Sequence, residues 1–148
     1  MLKGLKKSTA TFKIIASPVP WVLGTKGEAR DTWNGFVDEQ KEIFNFLSDN
    51  KIDGVVLISA DRHRSDAWKI GREDDYPLYE FTSSRLTNQH SHPLIEGALF
   101  GYNEKQSFGQ LLFDTQAADP HITYRIINID NEVIQSLTIN KSEISHGR

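Results

Sequence analysis

Residues 54–65 read "GVVLISADRHRS", and the two halves of that stretch follow different rules. Val55 to Ile58 is an unbroken β-branched and aliphatic run, the pattern of a strand buried on both faces. Asp61, Arg62 and His63 then arrive together, where a strand-to-loop exit or one wall of a metal site is expected. Upstream, "ATFKIIAS" (Ala10 to Ser17) reads as a strand stopped by "PVPW", because two prolines within three residues cannot donate to a ladder. A loop over Val22 to Arg30 leads through "DTWNGF" into a helix whose apolar face is Phe36, Ile43, Phe44 and Leu47. "SDNKIDG" ends that helix. A helix between two strands predicts a crossover unit, and ligands of such units lie at the carboxyl ends of the strands. Asp61 and His63 stand at one.

Beyond Ser65 the pattern is β. "SDAWKI" predicts a short strand and "YPLYEFTSS" a longer one, and Arg85 to Tyr102 reads as a loop. "SFGQLLFDT", "HITYRIINID" and "EVIQSLTIN" predict three more strands, the last two a hairpin turning at Asn131. The fold class is mixed α/β (α+β), one domain over residues 1–148.

Composition narrows the chemistry. The chain has 148 residues, 38% hydrophobic and 25% charged, with a formal net charge of -3. That balance gives no electrostatic case for nucleic acid or an anionic membrane. The absence of cysteine excludes disulfides, thiolate metal ligands and a cysteine nucleophile. Residues 1–9, "MLKGLKKST", carry the charge of an export signal without an apolar stretch behind it and read as a solvated end.

In an extended segment Asp61 and His63 share one side and Arg62 takes the other. A carboxylate and an imidazole on one side suit a hard or borderline metal. Arg62, facing away, suits a structural ion pair better than a phosphate contact. His90 and His92 repeat the His-x-His spacing in a polar, proline-ended segment that reads first as a surface loop. Ser83 and Ser84 lack the surroundings of an activated nucleophile. Trp33, just ahead of the helix, reads as packing, with pocket lining the alternative.

Taken in order, "STATFKIIASPVPW", "DTWNGFVDEQKEIFNFL", "GVVLISADRHRSD", "YPLYEFTSSRLT" and "SFGQLLFD" resemble the carboxyl-terminal half of PhoD-like alkaline phosphatases and phosphodiesterases. The resemblance implies part of a metallophosphoesterase core, two β-sheets packed face to face with a flanking helix. It implies hydrolysis of phosphate esters with a metal pair, calcium and iron, in proteins that are secreted, periplasmic or on the cell surface. The family's "GDxH" element corresponds to "ADRH", making Asp61 and His63 the implied metal ligands. Trp33 and Arg62 are weaker candidates for substrate contact. Ala60 replaces the usual glycine, and the upstream aspartates and asparagine of the family pattern have no counterpart here. Part of a two-sheet fold leaves strand edges and an apolar face uncovered, so self-association or a complementing chain is expected. The alternative to an enzyme is a non-catalytic remnant acting as such an association module.

Overall fold

A computed structural model of the chain describes residues 1–87 and 89–147. The crossover unit forms as the sequence predicts. Strand β1 (Lys13–Ala16) follows a short amino-terminal helix, α1 (Leu2–Lys7), and precedes an extended segment, β2 (Thr25–Glu28). A 3-10 turn at Trp33–Gly35 leads into α2 (Val37–Asp49), and β3 (Val55–Ser59) returns parallel to β1, with Ile15 beside Leu57. The basic start is helical, and none of its residues is buried, in keeping with a solvated end. The 22–30 loop includes β2.

Val55, Val56 and Leu57 have no exposed surface, because β3 is covered by neighbours on both sides and both faces. Leu47 is the fully buried residue of α2, with Ile43, Phe44 and Phe46 half-buried against the same core. Phe36 does not join that face and is 54% exposed. It occupies the cap, at φ -136° and ψ 39°, so the helical period begins only after it. The helix stops at Lys51, whose φ of 47° is left-handed. Lys51 N–H donates to the Ser48 carbonyl at 3.0 Å and Ile52 N–H to the Leu47 carbonyl at 2.9 Å. Those paired bonds satisfy the last carbonyls, a role more often given to glycine.

Strand β4 (Ser65–Arg72) and β5 (Asp75–Ser83) form a hairpin, and β5 also pairs parallel with β3. The predicted short strand thus runs eight residues. β6 (Phe100–Tyr102) closes the far edge, giving the order β1-β3-β5-β4-β6. It lies inside the stretch read as a loop, where Asn88 falls outside the described residues. The second sheet is antiparallel, β7 (Ser107–Asp114), β8 (His121–Asn128) and β9 (Val133–Asn140), with β8 central. On β8, Ile122, Tyr124 and Ile126 point into the core, at two-residue spacing. The hairpin turns at Asn131 with φ 64°, as read from the sequence.

The sheets meet through Tyr124, whose ring stacks on Phe81 at 4.2 Å between centroids and whose hydroxyl donates to the Thr82 carbonyl at 3.2 Å. Gly109 on β7 permits this approach, since a Cβ there would lie 2.6 Å from Tyr124 Cε2. Two sheets with a flanking helix are the predicted fold class.

Candidate functional site

The β3 strand ends at Ser59, and the next four residues form a tight turn instead of an extended exit. Asp61 has φ 73° and His63 φ 48°, and Arg62 N–H donates to the Ala60 carbonyl at 3.0 Å. The alternating-side argument therefore does not hold here, because left-handed residues break the strand period. Aspartate and histidine are among the few non-glycine residues enriched in that region. Two such residues flanking one arginine store strain where function tends to concentrate it.

The turn is held from outside. Ser84 Oγ accepts from His63 N–H at 2.8 Å, and Ser83 Oγ accepts from Gly109 N–H at 2.7 Å. Both serines act as braces, one for the turn and one for the second sheet. Arg64 and Asp66 continue the chain with a buried ion pair at 2.6 Å. Arg64 Nη1 also donates to the Pro93 carbonyl at 2.9 Å, and Asn103 Nδ2 to the His92 carbonyl at 2.9 Å. These bonds fold the 90–93 segment back onto the turn.

Asp61 and His63 consequently face different company. Lys26 Nζ lies 3.4 Å from Asp61 Oδ2 and 2.7 Å from Asp31 Oδ2, so an ammonium bridges two carboxylates. The hydrogen bond to Asp31 raises the Lys26 pKa and lowers that of Asp31. His63 instead lies among His90 and His92, at 5.8 and 5.6 Å between ring centroids. The ligating atoms of the three rings all fall within 4.8 Å of one another.

Arg62 is 5% exposed, and its Nε and Nη1 have no hydrogen-bond partner among the described residues. The structural ion pair expected of it is not formed among those residues. Its acidic neighbours are engaged elsewhere, Asp31 and Asp61 with Lys26 and Asp66 with Arg64. Burial, then the charge of Arg64, pulls the Arg62 pKa below its usual value. Trp33 stacks on Trp21 at 4.3 Å, and its Nε1 donates to Ser17 Oγ at 3.1 Å, which is packing.

The donor set at this end of β3 is mixed. Imidazoles suit borderline ions such as iron or zinc, whereas calcium requires oxygens, of which Asp61 supplies two. Lys26 and the folded-back histidines were missed as neighbours in the sequence because both come from distant loops. The His-x-His spacing was their one visible signal.

A β–α–β unit with the polar turn at its carboxyl end, packed on an antiparallel sheet, defines an α+β two-sheet protein. A family model described as PhoD-like phosphatase matches residues 1–141. The chain belongs to the PhoD-like phosphatase family. Alkaline phosphatase D of Bacillus subtilis (strain 168) is 26% identical over 92 residues, 58% of this chain and 15% of that protein. The structure of PhoD superposes with a TM-score of 0.61 at 14% identity, covering 99% of this chain and 35% of that one. GAP50, the anchor in the inner membrane complex of Plasmodium, superposes at 0.58 and 17% identity, covering 95% and 39%. These two likenesses show a shared fold. The chain spans well under half the length of each relative.

Proposed function

We propose that this chain forms part of the catalytic unit of a metal-dependent phosphoric ester hydrolase, a phosphatase or phosphodiesterase, with its chemistry at the Asp61–His63 turn. The observation that supports this best is Arg62. A buried guanidinium with unpartnered donors, next in the chain to Asp61 and His63, matches a phosphate oxygen in charge and donor chemistry. Asp61 and His63 would each hold one ion of the calcium–iron pair that the family resemblance implies. When bound, such ions polarise the phosphoryl oxygen and make water a stronger nucleophile.

The chain's own residues position and orient. Lys26 balances the Asp61 charge and must yield it when a cation binds there. Ser84 fixes the backbone of His63, and Arg64 keeps the 90–93 segment against the turn. Ligands from beyond the matched third of the fold, on the same polypeptide or a complementing one, would complete coordination, since each metal takes more donors than these two residues offer.

The test is hydrolysis of p-nitrophenyl phosphate and bis(p-nitrophenyl) phosphate by the whole chain supplied with iron and calcium. Metal-dependent turnover abolished by Asp61→Asn supports the reading. No turnover of either ester favours the second one, a non-catalytic association module. Exposed Phe108, Leu112, Phe113, Ile129 and Val133 on or beside the second sheet speak for that alternative.

A further inference from the structure

The three imidazoles gathered beyond the turn extend past the aspartate–histidine pair. We propose that His63, His90 and His92 form a site for a single borderline divalent ion of the zinc class, which this chain binds without help. The site involves neither Asp61 nor a metal pair, and it stands whether or not the chain hydrolyses an ester.

Three observations carry it. First, residues from separate segments converge: His63 from the β3–β4 turn, and His90 and His92 from the segment before β6, all ligating atoms within 4.8 Å. Metal–nitrogen bonds near 2.1 Å put tetrahedral ligands roughly 3.4 Å apart, so the ligating atoms need to close by at most about 1.4 Å. Second, the backbone on either side is anchored. Ser84 holds His63, Asn103 holds His92 and Arg64 holds Pro93, so the backbone under two of the three ligands is fixed and His90 is the one that closes onto them. Third, the donor set is selective. Three neutral nitrogens suit zinc, cobalt, nickel or copper and offer nothing to calcium or magnesium.

Imidazoles must be neutral to bind. Three uncharged ligands beside Arg62 leave the ion's charge uncompensated, so the fourth position suits an anion or hydroxide, as in open three-histidine sites.

The experiment is titration of the chelator-stripped chain with Co2+ and with Zn2+, followed by cobalt absorption and calorimetry. The expected result is one tetrahedral ion per chain, unmoved by excess Ca2+ and by Asp61→Asn. His90→Ala and His92→Ala should each weaken binding by about tenfold or more. Both variants remove partly or fully exposed rings, and circular dichroism confirms their fold. Unchanged affinity in the double variant, or loss of binding in Asp61→Asn, would overturn the proposal. Tight cobalt binding through the histidines in a chain that hydrolyses no ester upholds this site while rejecting the phosphoesterase reading.

Discussion

Arg64 and Asp66 form an ion pair, Nε to Oδ2 at 2.6 Å, with side chains 0% and 2% exposed. The pair sits directly after His63, and the same guanidinium reaches the Pro93 carbonyl. One buried arginine therefore joins the strand, the turn and the histidine segment. Burial lifts the Asp66 pKa, with the Arg64 charge pulling against it.

Removing one member of such a pair strands the other charge in the core. Arg64→Ala or Asp66→Ala is expected to cost about 3–5 kcal/mol. Urea unfolding would show it. Arg64→Ala should also release the 90–93 segment, seen as faster limited proteolysis within it.

Glu80 predicts a pH dependence. Its oxygens accept from Trp21 N–H and Val22 N–H at 2.8 Å each, and from the Ser59 hydroxyl. Burial pushes its pKa above the ordinary 4.5, against the pull of those hydrogen bonds. A raised folded pKa contributes stability that is full below the ordinary value and lost as pH rises through the folded one. Glu80→Gln keeps one accepting oxygen and leaves one amide unpaired, at about 1–3 kcal/mol. Parallel thermal melts across pH should show the parent's advantage over the variant greatest in acid and shrinking upward. A gap that widens with pH would contradict the assignment.

Gly109 tests how the two sheets meet. Gly109→Ala drives a methyl into Tyr124, whose hydroxyl would lie 2.9 Å from the new carbon, with Ser83 Cβ at 3.2 Å. The expected loss is about 1–3 kcal/mol from overpacking. Tyr124→Ala should cost more, about 3–5 kcal/mol, by emptying the junction. Equal, negligible losses would mean the sheets do not depend on that contact.

The uncovered apolar residues predict association. Phe108 and Ile129 line a cleft of about 290 Å³ with Leu86, and are 42% and 68% exposed. Sedimentation should show a concentration-dependent dimer or larger species, weakened by Phe108→Ser with Ile129→Ser. A monodisperse monomer of the parent would count against self-association and leave a complementing chain as the occupant.

Local pattern carried much of the fold. β3 was legible because a strand covered on both faces needs four apolar residues in a row, and α2 because its buried side repeats with the helical period. The Asn131 hairpin followed from turn chemistry. The Asp61–His63 turn was not legible as a turn. Left-handed backbone at aspartate or histidine leaves no mark in hydrophobic spacing, so an extended exit was the natural reading. Phe36 looked like part of the helix face because period alone does not show where a helix begins. The pairing of His63 with His90 and His92, and of Asp61 with Lys26, depends on loops that return across the sheet. Beyond the His-x-His spacing, nothing local records those meetings. The ion pair expected of Arg62 rested on an extended exit that turns it away from Asp61 and His63; the turn removes that premise, and the fold shows the nearby acids already paired.

The proposed metal-centred site at the end of β3 stands or falls on what it binds. Elemental analysis of the purified chain beside His63→Ala tests it most directly, because His63 belongs to both the proposed phosphoesterase pair and the histidine cluster. Stoichiometric metal is expected in the parent and none above background in the variant. Equal metal in both, or none in either, would contradict it.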